Sequence, residues 1–146
     1  MPSCSFPTRG IRGPLLLLAL GLAAGCSSTT TPPSNPPPPT PTGNDINIVV
    51  GAASKTTGAF SPNPKNVSLA GGASVTARWV NQDISGGDYT TGSAVTHRIA
   101  SDDSKFATSP NLGGNATYSI SLTTAGTYAF HCQIHPNMVG SIVVSP

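Results

Sequence analysis

Charge is scarce in this chain: Asp, Glu, Lys and Arg make up 8% of its 146 residues. Arg9 and Arg12 lie in an N-terminal stretch that reads as removable. The remainder sets Lys55, Lys65, Arg78, Arg98 and Lys105 against Asp45, Asp83, Asp88, Asp102 and Asp103. A body so evenly balanced offers no basic face for nucleic acid and no strong electrostatic hold on a membrane surface. Helical periodicity is also lacking, as is any internal repeat, so a helical architecture is not expected. There is no apolar run long enough to cross a bilayer comfortably. The run Leu15 to Leu20 falls well short of the roughly 20 apolar residues a span requires. Cysteine is limited to Cys4, Cys26 and Cys132, and methionine to Met1 and Met138.

What is abundant is turn chemistry: 16 Gly and 15 Pro, with frequent Ser and Thr. That composition suits many short strands joined by turns. Apolar residues alternate at Ile46, Ile48 and Val50, across Val67 to Leu69, and from Val75 to Trp79, with Gly71-Gly72 as a turn. They alternate again at Tyr118, Ile120 and Leu122. After a turn at Thr123-Thr124-Ala125-Gly126 they continue at Tyr128, Phe130 and Cys132, and finally at Ile142 and Val144. Period two marks half-buried strands. Residues 45–146 therefore predict an all-β fold, a single β-sandwich of about 100 residues.

The N-terminus predicts export. Arg9 and Arg12 precede the apolar run, and Leu22-Ala23-Ala24-Gly25-Cys26 closes it with small residues. That ending resembles a bacterial lipobox, with Ala23 where Leu is preferred. The resemblance implies cleavage after residue 25 and a lipid on Cys26 that anchors the mature chain to a membrane. Ser27 after it is compatible with the outer membrane. Residues 26–44 are nearly all Ser, Thr and Pro, including Pro36-Pro37-Pro38-Pro39. They predict an extended spacer reaching about 50 Å at about 3 Å per residue.

Chemistry concentrates in Phe130-His131-Cys132-Gln133-Ile134-His135-Pro136-Asn137-Met138. Thiolate, thioether and imidazole together suit copper, and a trigonal His, His, Cys set with a long axial Met is the blue-copper arrangement. Parity selects the histidines. Side chains alternate along a strand, so if Cys132 faces inward with Phe130, His131 faces outward. His135 and the distant His97 remain. Once Cys4 leaves with the signal and Cys26 carries lipid, Cys132 has no disulfide partner. In an oxidising compartment, metal ligation explains such a thiol.

These residues resemble the cupredoxins, most closely amicyanin and small plastocyanin-like proteins. Phe60, Pro64, Val67, Leu69, Gly72, Val75, Trp79 and Asn81 match the family's second and third strands. Thr96-His97 with Ser101-Asp102-Asp103 matches the first-ligand region. Ala125 to Cys132, His135-Pro136-Asn137-Met138 and Gly140 to Val144 match its C-terminal signature. The resemblance implies a Greek-key sandwich with one type 1 copper on His97, Cys132 and His135, and Met138 as axial ligand. It also implies an electron exit at the exposed edge of His135, with Pro136 in an apolar docking patch. Arg98 stands where plastocyanins often have an Asn that ties the ligand loops together. The Gly-, Ser- and Thr-rich segment 82–96 is long for the family and reads as a loop near the metal end.

The expected function is one-electron transfer between redox protein partners in the cell envelope, by a monomer in the periplasm or on the outer membrane. The alternative is a copper carrier using the same ligands, against which the scarcity of Met weighs. An enzyme is not expected. A second, catalytic copper needs several further ligands, and one His per chain remains after the first site is filled.

Overall fold

A computed structural model of the chain describes residues 36–84 and 93–146. The expected signal segment, Cys26 and the first part of the spacer lie outside the described residues, as do residues 85–92 of the loop.

Eight strands are described: β1 (Asp45–Ile48), β2 (Phe60–Ser61), β3 (Lys65–Ser68), β4 (Val75–Asn81), β5 (Ile99–Ser101), β6 (Thr117–Leu122), β7 (Gly126–Cys132) and β8 (Val139–Ser145). A short 3-10 turn at Ala52–Ser54 is the helical element among the described residues. The strands form two four-stranded sheets, ordered β2-β1-β4-β6 and β3-β8-β7-β5. This is the expected all-β sandwich. Two pairings are parallel, β1 with β4 and β3 with β8. The turn at Gly71-Gly72 carries the chain from one sheet to the other, as does the turn before Gly126.

Alternation decides what the sheets enclose. Ile46 and Ile48 are buried from β1, Ile120 and Leu122 from β6, Tyr128 and Phe130 from β7, Ile142 and Val144 from β8. The alternation at β1 stops earlier than the sequence pattern does. Val50 is exposed, because the strand ends at Ile48 and the chain turns through Gly51 at φ 74°. At the centre, Phe130 meets Trp79 edge-on at 5.0 Å between centroids and Phe60 at 4.9 Å. Such edge-to-face pairs contribute about 0.5–1.5 kcal/mol each beyond the burial of area.

Residues ahead of β1 touch the sheet. Arg78 on β4 donates through Nε and Nη2 to both carboxylate oxygens of Asp45, at 2.8 and 2.7 Å, and from Nη2 to the Thr40 carbonyl at 2.7 Å. Lys65 Nζ donates to the Gly43 carbonyl at 2.7 Å. No helix among the described residues is long and apolar enough to cross a membrane.

Candidate metal centre

The site is built where β7 ends. Along β7, Tyr128, Phe130 and Cys132 are buried and the residues between them are not. Cys132 is therefore delivered inward as the last residue of the strand. Opposite it in register is Ile99 of β5. His97, two residues before Ile99, thus reaches the same end of the sandwich. It is held there by paired backbone hydrogen bonds with Leu112, at 3.1 and 2.8 Å. After Cys132 the chain makes a tight loop back into β8. The Met138 N–H donates to the His135 carbonyl at 2.9 Å, and the Cys132 N–H to the Met138 carbonyl at 3.0 Å. This closure leaves His135 half-buried and Met138 fully buried.

Three donor atoms converge. Cys132 Sγ lies 3.7 Å from Nδ1 of His97 and 3.7 Å from Nδ1 of His135, and the two Nδ1 atoms are 3.2 Å apart. All the ligand atoms of His97, Cys132 and His135 lie within 4.8 Å of one another. His97 and Cys132 are fully buried. His131 sits on the opposite face of β7, half-exposed, its Nδ1 2.5 Å from Asp102 Oδ1. It does not join the cluster, as strand parity requires.

The surroundings set the chemistry of these groups. Burial pushes the Cys132 thiol up. The hydrogen bond with His97 and the backbone N–H groups of Arg98, His135 and Ile134 outweigh it, and bring the thiol down to about 6. Burial likewise opposes a charged His97, while its hydrogen bonds to Cys132 and Asp83 outweigh that and raise its pKa. The Arg98 N–H points at Cys132 Sγ from 3.5 Å. Amide bonds to the ligand sulfur are one of the levers a protein has on a copper potential.

Arg98 itself turns away, donating from Nε to the Ser109 carbonyl at 3.2 Å. The tie between the ligand loops is made instead by its backbone, whose carbonyl accepts the Gln133 N–H at 2.8 Å. Sequence reasoning also left Asp83 and Asn81 without a role in the site. Asp83 Oδ2 is 3.0 Å from Nε2 of His97, and Asn81 bridges Asp83 to three loop carbonyls. For Asp83 the available signal was a carboxylate just after a buried strand, in a chain with few carboxylates at all.

The donor set passes a test of fit on its own geometry. Nε2 of His97 faces the Asp83 carboxylate, which turns the other ring nitrogen, Nδ1, toward Cys132 and His135. Two imidazole nitrogens and one thiol tending to thiolate, two of the three donor residues buried and His135 half-buried, make a soft cradle for a cation that suits copper.

The chain belongs to the cupredoxins: the family model described as a cupredoxin-like domain matches residues 17–144. Among solved structures, the chain is similar to a purple cupredoxin from Nitrosopumilus maritimus. The identity is 27% over 69% of this chain and 98% of that one, with a TM-score of 0.55. It is also similar in fold to a methionine-to-alanine mutant of amicyanin in its Cu(I) form. There the identity is 21%, over 78% of this chain and 95% of that one, with a TM-score of 0.50. A copper-containing nitrite reductase from Thermus scotoductus SA-01 matches at 23% identity, over 73% of this chain and 23% of that one, with a TM-score of 0.49. No curated protein matches the chain.

Proposed function

We propose that this chain is a one-electron carrier with a single type 1 copper held by His97, Cys132 and His135, with Met138 as the axial ligand. The observation that carries the reading is the convergence of the two Nδ1 atoms and Sγ, all within 4.8 Å. Met138 adds a fully buried thioether to the same closed loop. Copper bound there supplies the one-electron couple between Cu(I) and Cu(II). The residues contribute rigidity. His97 is fixed by the Leu112 pairing and by Asp83, Cys132 by the β5 register, and His135 by the Met138 turn. A site that cannot rearrange keeps small the atomic movement that accompanies each electron.

His135 is the ligand nearest solvent. Ile134 and Val139 beside the loop are 45% and 55% exposed, and Pro136 is exposed between them. An apolar rim around a half-buried ligand suits brief docking with a redox protein partner. The deep burial of His97 and Cys132 favours an electron carrier over a copper carrier, because two of the three donors are not presented to a partner that would receive the ion. A second, catalytic copper is disfavoured: His131, the third histidine of the chain, stands apart from the donor cluster and pairs with Asp102, and no second cluster of donors is found among the described residues. In this reading the chain is exported, lipidated on Cys26, and held off the membrane by residues 26–44 as a monomer.

The test is an optical and EPR titration of the chain with Cu(II), beside Cys132→Ser. One copper per chain, an intense blue band, narrow copper hyperfine splitting and reversible bleaching by a mild reductant are expected, with the colour lost in Cys132→Ser. A pale complex, or colour that survives loss of the thiol, refutes the reading.

A further inference from the structure

Val80 breaks the alternation of β4. Ala77 and Trp79 point into the core, so parity turns Arg78 and Val80 to the outer face of the sheet. Val80 takes no part in the core cluster, yet it is 2% exposed. An outward valine is buried only if something lies over the sheet. Pro39 and Pro41 line the same cleft as Val80, with Asn47 of β1 and Gln82 beside them. Polar neighbours hold the same segment by its carbonyls. Arg78 Nη2 donates to Thr40 at 2.7 Å, Lys65 Nζ donates to Gly43 at 2.7 Å, and Asn115 Nδ2 donates to Pro36. Asp45 closes the corner by accepting the Thr42 N–H at 2.8 Å.

A proline-rich segment suits this place. It is extended before it docks, so it loses little freedom, and without internal hydrogen bonds its carbonyls are open to outside donors. Its direction sets where the chain leaves the domain. β1 runs toward the metal end, since Asp45 pairs with Arg78 and Ile48 with Asn81. The segment before it runs the other way: Gly43 and Thr40 sit by Lys65 and Arg78, and Pro36 reaches Asn115. Asn115 is at the metal end. Its N–H donates to the Asn81 carbonyl at 2.8 Å, and Asn81 Nδ2 reaches the carbonyl of Leu112, the backbone partner of His97. Pro36 therefore lies beside the metal centre.

From this arrangement we infer that residues 36–43 are a strap of the folded domain, which brings the tether out at the metal end and so turns the metal centre toward the membrane, to meet a redox protein embedded there. The inference rests on the proposed lipid anchor at Cys26, and it deepens the electron-transfer reading by naming the class of partner. Ten residue steps separate Cys26 from Pro36. Fully extended they reach at most about 35 Å. The far end of the sandwich, at Gly71-Gly72 and Thr123-Thr124, lies a further strand length away, about 23 Å for the seven residues of β4 or β7. The even balance of charge leaves orientation to the tether, because electrostatics draws no face to the bilayer. This orientation shields the metal end from partners in solution and offers it to one in the bilayer.

The test uses the full lipidated chain, free of copper, in phosphatidylcholine nanodiscs that carry a gadolinium-chelating lipid. Nuclear Overhauser contacts between the Val80 methyls and the rings of Pro39 and Pro41 are expected. Amide signals of Gly113, Gln133 and Asn137, at the metal end, are expected to lose intensity to the gadolinium, while those of Gly72 and Thr124 keep theirs. Absence of the Val80 contacts overturns the strap. Equal losses at both ends, or greater losses at Gly72 and Thr124, overturn the orientation. A chain with no acyl group on Cys26 by mass spectrometry refutes the anchor reading and the orientation with it, and the Val80 contacts still decide the strap. A chain that orients as expected but gives no blue complex with Cu(II) refutes the copper reading instead.

Discussion

The ring of Phe130 lies directly over Gly140, its cross-strand partner between β7 and β8. A Cβ added at Gly140 would meet Phe130 Cζ at 2.5 Å and Cε2 at 2.8 Å. The ring cannot swing aside, because Phe60 and Trp79 hold its other faces at 4.9 and 5.0 Å between centroids. Gly140 is thus required by close approach rather than by backbone conformation. Gly140→Ala is expected to cost about 1–3 kcal/mol in urea unfolding, the usual range for overpacking a filled core. A change below about 0.5 kcal/mol would show that the ring has room to shift.

Asn81 at the end of β4 organises the loops around the site. Its Nδ2 group lies 2.7, 2.9 and 3.1 Å from the carbonyls of Val95, Leu112 and Gly113, and its Oδ1 accepts the Asp83 N–H at 2.9 Å. Asn81→Ala removes the partner of the Val95 carbonyl and of the Asp83 N–H, at about 1–3 kcal/mol for each group left unpaired. The Leu112 and Gly113 carbonyls keep the N–H groups of His97 and Ala116. The metal-free variant is expected to lose about 3 kcal/mol by chemical denaturation, and its copper affinity is expected to fall as His97 loosens. A loss under about 1 kcal/mol would mean that water or the neighbouring backbone replaces the amide.

The parts legible in the sequence are those governed by period two and by short loops. Tyr128, Phe130 and Cys132 share a face because a strand alternates, and that same parity sends His131 outward. The span from Cys132 to Met138 holds three donor residue types within seven positions, so the loop was legible as a site. What was not legible depends on contacts between distant turns. Asp83 and His97 are fourteen positions apart in a segment whose Gly, Ser and Thr read as an insertion. The tie from the Arg98 carbonyl to the Gln133 N–H is a backbone bond, so no side-chain pattern announces it. Likewise Gly140 reads as one more turn glycine until the Phe130 ring is seen above it.

Asp45 and Arg78 give the sandwich a pH dependence away from the metal. The Arg78 guanidinium and the Thr42 hydroxyl and N–H outweigh partial burial, and lower Asp45 from 3.8 to about 2. A lowered carboxylate stabilises the fold fully above its unfolded value, and that stabilisation disappears as pH falls through the folded one. Asp45→Asn is therefore expected to be less stable than the wild type at pH 7, by on the order of 1 kcal/mol after solvent screening. The difference should shrink between pH 4 and pH 2 and vanish below. A difference that stays constant across that range would assign the loss to packing rather than to charge.

His131 and His135 separate ligation from proximity. They are four residues apart on the same strand and loop, and each is half-buried. Nδ1 of His135 lies in the donor cluster, whereas Nδ1 of His131 meets Asp102 across β5 and β7. The His131–Asp102 pair is a partly exposed surface contact, and such pairs contribute about 0–1 kcal/mol. His131→Gln is expected to keep the blue band, the copper stoichiometry and the EPR hyperfine splitting, with stability within about 0.5 kcal/mol of wild type. His135→Gln is expected to lose the blue band, because Gln has no imidazole nitrogen to place beside Cys132 Sγ. If His131→Gln bleached the site as well, the two faces of β7 would be coupled through Cys132 itself. The Ala100–His131 and Ile99–Cys132 register would then be the element to vary next.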